Sequence, residues 1–210
     1  MELVAISLSG IRQLEIQGRL TQTGICKQTV EVPVHVSSEG IIGDVQADRK
    51  NHGGADKAVY AYAVENYRFW EGELGKQLPY GQFGENLAVS GMTDEIVHIG
   101  DIFRIGPVEM QVTQPRVPCF KLGMRMEDSG FVARFHHSGR VGFYLRVLKE
   151  GPLKAKDAIE RLHADTGRLN IRDAMLALNK NSRQQEIIAR ALEIPALSQA
   201  WRESLRKKQS

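Results

Sequence analysis

Over roughly the first 115 residues the apolar runs are short, rich in valine and isoleucine, and repeatedly broken by glycine and proline. That punctuation predicts a chain that keeps turning back on itself as β-strands. Three runs, VEVPVHV (Val30 to Val36), AVYAYAV (Ala58 to Val64) and VEMQVTQ (Val108 to Gln114), alternate in character at period two. The last alternates most cleanly: Val108, Met110 and Val112 share one face, and Glu109, Gln111 and Thr113 share the other, so one face is buried. VHIGDIFRIG (Val97 to Gly106) predicts a hairpin around a tight Gly100-Asp101 turn. RVGFYLRVLK (Arg140 to Lys149) predicts a strand that closes the sheet. Helical spacing interrupts this pattern at Glu65 to Leu74, where Trp70 and Leu74 lie four apart, and again from Pro118.

Beyond about residue 167 the period changes and three helical segments emerge. Asn170 is placed to cap IRDAMLALN, Ser182 with Gln185 forms an S-x-x-Q capping box for RQQEIIARAL, and Leu197, Trp201 and Leu205 make an i, i+4, i+8 stripe. Helices shorter than about 12 residues are marginal alone in water, so these must pack on something. The expected fold is mainly β (α+β): a barrel-like β domain over residues 1–166 and a small three-helix appendage over residues 167–210.

Composition agrees with a soluble globular chain: of 210 residues, 42% are hydrophobic and 25% charged. The start, MELVAISLSGIRQLEIQG, has neither the basic opening nor the apolar run of a signal peptide, and no membrane-length apolar stretch occurs, so a cytoplasmic location is expected. Cys26 and Cys119 are the only cysteines, too few for a disulfide framework, and are expected as thiols. The net charge of +3 comes partly from the tail WRESLRKKQS. The remaining cations are scattered among acids, which argues against a nucleic-acid interface.

Nucleotide-binding and zinc motifs (G-x-x-x-x-G-K-[ST], G-x-G-x-x-G, H-E-x-x-H, C-x-x-C) are missing from the sequence. Three stretches remain. GDVQADRKNHGGADKAVY (Gly43 to Tyr60) crowds Asp44, Asp48, Arg49, Lys50, His52, Asp56 and Lys57 around Gly53-Gly54. It reads either as a solvated loop with a glycine turn or as a phosphate site, where glycines let backbone N–H groups approach and Lys57 or Arg49 neutralises charge. GQFGENLAVSG (Gly81 to Gly91) holds Asn86, which either satisfies local backbone or offers a donor and an acceptor to a buried ligand. TQPRVPCFKLG (Thr113 to Gly123) sets Cys119 after Pro118, a favourable first helical residue, with Arg116 and Lys121 nearby. That setting is expected to lower the thiol pKa, the alternative being a small buried hydrophobe. Cys26, with only Lys27 beside it, reads as the latter. A hydrolytic Cys119 would need a base among His52, His98, His136 and His137, and a redox thiol would need Cys26 as partner. A thiolate-bound metal with a phosphate-bearing cofactor across the glycine turn accounts for all three stretches.

GIIGDVQAD, HGGADKAVYAY, GQFGENL, IGD and QPRVPC, occurring in that order, are the residues by which the chain resembles MOSC-domain proteins, the superfamily named for the C-terminal domain of molybdenum cofactor sulfurases. The resemblance covers almost the whole chain and is to the YiiM branch, in which a three-helix C-terminal extension is typical. It implies a barrel-like fold and molybdenum bound to pyranopterin dithiolene, with Cys119 as metal ligand and catalytic centre. It also implies reduction of N-hydroxylated bases such as 6-hydroxylaminopurine, with electrons from a flavoprotein reductase. Candidate cradle residues for the pterin phosphate are Arg49, His52, Gly53, Gly54, Lys57 and Arg116, with Asn86 as a pterin contact. The competing expectation is a sulfur carrier holding persulfide on Cys119 without turnover. For the C-terminal helices three roles stay open: covering the cofactor, docking the reductase, or forming a homodimer.

Overall fold

The structure, a computed structural model, describes residues 1–16, 19–45, 54–179 and 183–209. In chain order the strands are β1 (Glu2–Leu8), β2 (Arg12–Ile16), β3 (Arg19–Thr23), β4 (Gln28–Val30), β5 (Val34–Ser37), β6 (Gly40–Ile41), β7 (Val59–Ala63) and β8 (Leu87–Ser90). They continue with β9 (Ile102–Ile105), β10 (Val108–Pro115), β11 (Phe143–Lys149), β12 (Gly151–Leu153) and β13 (Ile159–His163). Eight of them form one sheet in the order β13-β9-β10-β11-β7-β8-β1-β4. Neighbours are antiparallel except β7 and β8, which run parallel. Helix α1 (Val64–Leu74) lies in the crossover between those two, as a parallel pair demands.

The sheet curls. Leu3 N–H donates to Asp157 O (2.9 Å), Lys156 N–H to Leu3 O (2.7 Å) and Ile159 N–H to Met1 O (3.0 Å), so the approach to β13 lies against the start of β1. The result is the expected strand-rich α+β body, barrel-like in outline, with no named strand pair closing the ring among the described residues.

The alternation in β10 is real in its first half, whereas Val112 to Pro115 are buried on both sides. AVYAYAV departs further from period two, because every residue of β7 is buried. Tyr62 packs into an aromatic cluster with Tyr67, Phe83 and Phe135, Val59 and Ala61 are fully covered, and a central strand roofed on both faces has no polar side. VEVPVHV is two strands, since β4 stops at Val30 and β5 begins after Pro33, which has no N–H for a ladder.

The hairpin expected around Gly100-Asp101 is absent. Ile99 N–H instead donates to Leu169 O (3.0 Å) and Ile171 N–H to Val97 O (3.0 Å), so residues 97–99 pair with the approach to the C-terminal helices. The fully buried Asp101 carboxylate ties this turn by accepting from the N–H groups of His98 (3.1 Å) and Asp165 (2.9 Å). The hairpin that forms is β9–β10, turning at Gly106-Pro107.

Two short helices, α2 (Phe120–Arg125) and α3 (Phe131–Ser138), precede β11. The last part of the chain carries α4 (Ile171–Leu176), α5 (Gln184–Glu193) and α6 (Gln199–Arg206). Asn170 caps α4 as expected, its Oδ1 accepting from Asp173 N–H at 2.7 Å. The Ser182 capping box lies outside the described residues. Ile171, Met175, Ile187, Ile188, Trp201 and Leu205 are buried and belong to the same apolar cluster as the sheet. No helix among the described residues is long and apolar enough to cross a membrane.

Candidate cofactor site

Cys119 lies four residues past the end of β10, half-buried, in extended conformation at the N-cap position of α2. The helix therefore starts one residue after the cysteine, and its six residues carry little dipole. The electrostatic character of the thiol's surroundings comes from side chains instead. Arg116, Lys57 and Lys121 line the same cleft as Cys119, together with Tyr60 and Tyr144. The cleft is open to solvent and encloses about 650 Å³ counting its mouth.

Arg116 is the least ordinary of these groups. It is only 6% exposed, and its guanidinium lies 5.4 Å from the centroids of both the Tyr60 and Phe135 rings. Its Nη1 is buried without a hydrogen-bond partner. The side chain does hydrogen-bond Tyr144, so the guanidinium is partly satisfied, and an acceptor reaching Nη1 would recover a cost on the order of 1–3 kcal/mol. Burial pushes the phenols of Tyr60 and Tyr144 up, so both rings stay neutral beside that charge. The Arg116 backbone is fixed too, its N–H donating to Gly142 O at 3.0 Å.

Lys27, Asp44 and Asn86 of the same lining are paired with one another. Lys27 Nζ lies 2.5 Å from Asp44 Oδ2, and both side chains are 7% exposed. Burial lowers the Lys27 pKa against the opposing pull of Asp44. Asn86 donates to Asp44 Oδ2 (2.8 Å) and accepts from Tyr60 N–H (3.1 Å), with a longer contact to Ser7 O (3.4 Å). Its amide thus lines the cleft but is engaged in joining β1, β7 and the Asp44 loop.

Gly54 opens a 3-10 turn, Ala55–Lys57, at φ +94°, a conformation that favours glycine. Gly54 is not part of the cleft wall; it accepts Lys57 N–H at 2.9 Å, and Lys57 reaches the wall. Arg49, His52 and Gly53 lie outside the described residues. The cleft thus brings together Cys119, Arg116, Lys57 and Asn86. No histidine among the described residues lines it, and Cys26 and Cys119 form no disulfide. Among the described residues no three His, Cys, Asp or Glu side chains converge as a metal-binding group.

Two buried carboxylates shape the site without being legible beforehand. Glu85, fully buried, accepts from the N–H groups of Gly81 (2.5 Å) and Phe83 (3.2 Å) and from the Tyr67 hydroxyl, and burial raises its pKa. Asp94 accepts from the N–H groups of Val141 (3.0 Å) and Gly142 (2.7 Å), and so holds the turn that receives the Arg116 N–H. The one available signal for Glu85 was its place among turn residues in GQFGENL; Asp94 had none.

Residues 48–160 match the family model of the MOSC domain. The chain is 38% identical over 205 residues to the uncharacterized protein YflK of Bacillus subtilis, covering 98% of this chain and 93% of that one. Protein YiiM of Escherichia coli is 32% identical over 189 residues, covering 89% and 84%. A Gibberella moniliformis protein named Reductase is 31% identical over 197 residues, which is 92% of this chain and 35% of that protein. Among solved structures, YiiM from Geobacillus stearothermophilus superposes with a TM-score of 0.85 at 31% identity, covering 100% of this chain and 99% of that one. YiiM from Escherichia coli gives 0.77 at 26% identity, covering 99% and 92%. With the family match, two such relatives over nearly the full chain and the Cys119 cleft on the same scaffold, the chain belongs to the MOSC-domain family and is of the YiiM type.

Proposed function

We propose that the cleft binds a molybdenum-pyranopterin cofactor and that the protein is an oxidoreductase removing the hydroxyl oxygen from N-hydroxylated bases or related N-hydroxylated compounds. The observation that carries this reading is that one cleft is lined by both Cys119 and Arg116, a buried arginine whose Nη1 has no hydrogen-bond partner. A soft thiolate suits molybdenum, and a buried guanidinium suits the pterin phosphate. With one protein sulfur at the wall and no converging cluster of metal-binding side chains among the described residues, the remaining ligands would come from the dithiolene. Such a group supplies two-electron oxygen-atom chemistry: the N–O bond breaks, two electrons and two protons are consumed, and the amine and water are released.

The chain's own residues do the rest. Cys119 would hold the metal. Arg116 and Lys57 would neutralise the phosphate, and the Lys27–Asp44–Asn86 network leaves those lining groups paired with one another. The electrons come from a flavoprotein reductase as partner.

The test is conversion of 6-hydroxylaminopurine to adenine by the holoprotein with reduced viologen dye as electron donor, followed by chromatography, beside Cys119→Ser. Turnover in the parent and its loss in the variant support the reading. Persulfide mass on Cys119 without metal or turnover would replace it with a sulfur carrier.

A further inference from the structure

Asp56 links the C-terminal helices to the cleft. It occupies the middle of the Ala55–Lys57 turn, one residue before Lys57, and this turn has no buried residue of its own. Core packing therefore does not fix it, and polar bonds must. Arg146 of β11 donates to Asp56 Oδ1 through Nε (2.9 Å) and Nη2 (2.5 Å). Thr113 Oγ1 of β10 donates to the Asp56 carbonyl at 2.6 Å. The other carboxylate oxygen, Oδ2, accepts the N–H of Gln199, the first residue of α6, at 3.1 Å.

Helix α6 is seated firmly enough to act as an anchor. Ser198, fully buried, donates its N–H to Thr113 O (3.2 Å) and its hydroxyl to Gln114 Oε1 (2.6 Å) while capping Trp201 N–H (3.1 Å). An N–H at a helix start is an unsatisfied donor that favours a carboxylate, so the Asp56 bond satisfies both ends.

We infer that the C-terminal extension sets the anion-binding end of the cleft: Asp56 is a positioning residue through which α6 and Arg146 fix where Lys57 points. This rests on the cofactor reading above.

Gln199→Pro tests it in the full chain. Proline is favoured at the first helical position, and Ser198 already has a polyproline-like conformation compatible with a following proline (φ −58°, ψ 148°), so the substitution removes the N–H while leaving the helix. Gln199→Ala is the control, losing the same side chain and its bond to Glu203 but keeping the N–H. Both are purified, with the parent and Asp56→Asn, from a host that makes molybdopterin. Bound pterin, its loss on dialysis and the melting temperature are measured.

Gln199→Ala should retain pterin like the parent, and Gln199→Pro should retain about 3- to 10-fold less, the scale of one ordinary solvent-exposed hydrogen bond. The melting temperatures of the two Gln199 variants should agree within about 2 °C. Asp56→Asn should lose pterin as well, and the double variant should be no worse than the more affected single one, because the two changes break the same link. Equal retention in Gln199→Pro and Gln199→Ala, fully additive losses, or losses that simply follow melting temperature would overturn the inference and leave the cofactor reading standing. A parent without pterin would overturn both.

Discussion

Asp94 makes the stability of this protein depend on pH in an unusual direction for a carboxylate. The side chain is 1% exposed, and its carboxyl is pushed by burial from 3.8 to about 6, against the opposing effect of its bonds from Asn66, Gly142 and Val141. At roughly 1.4 kcal/mol per pH unit, that gap is worth about 3 kcal/mol. The folded state holds the proton more tightly than the unfolded chain, so the contribution is complete below about pH 3.8 and is lost as pH rises through about 6. The perturbation is Asp94→Asn, whose amide has no proton to lose. Urea unfolding of parent and variant at several pH values gives the stability difference between them, from which groups common to both cancel. The parent's stability relative to the variant should fall by about 2–3 kcal/mol between about pH 4 and pH 7. A difference that is flat, or that rises with pH, would refute the reasoning. Because Asp94 holds the Gly142 turn that receives the Arg116 N–H, the same titration reaches the cleft wall.

Three further substitutions probe the groups around the cleft. Arg116→Met keeps an apolar body between the Tyr60 and Phe135 rings but removes the buried charge, so the cofactor-free protein should melt roughly 2–8 °C higher while retaining no pterin, read by scanning fluorimetry and pterin assay. Glu85→Gln places amide hydrogens where the loop's N–H groups need acceptors, and should cost about 2–3 kcal/mol in chemical unfolding. Gly142→Ala would bring a Cβ within 2.5 Å of Ala61 O at φ +70°, and should cost at least about 3 kcal/mol, read as a melting temperature lower by roughly 6 °C or more.

What the sequence revealed divides along the line between local and distant causes. Asn170 capped its helix because capping involves residues three apart, and the start of β10 alternated because one face meets the core. The end of β10 did not alternate, since Ser198, 84 residues away from Gln114, covers it. Gly100-Asp101 looked like a hairpin turn, but the backbone of residues 97–99 found Leu169 and Ile171 first. In the site, the convergence of Cys119, Arg116, Lys57 and Asn86 was readable from their motifs. Their division of labour was not: Asn86 is committed to Asp44 and the Tyr60 backbone, and Cys119 sits before its helix rather than within it. Glu85, Asp94 and Asp56 carry roles that arise only from burial or from partners far along the chain.

The central claim is that Cys119 is the protein's hold on a molybdenum-pterin. Its most direct test is the molybdenum and pterin content of the protein purified from a molybdopterin-producing host, beside Cys119→Ser. The account predicts near-stoichiometric metal with pterin in the parent and a large loss of metal in the variant. Equal metal in both, or none in the parent, would contradict it.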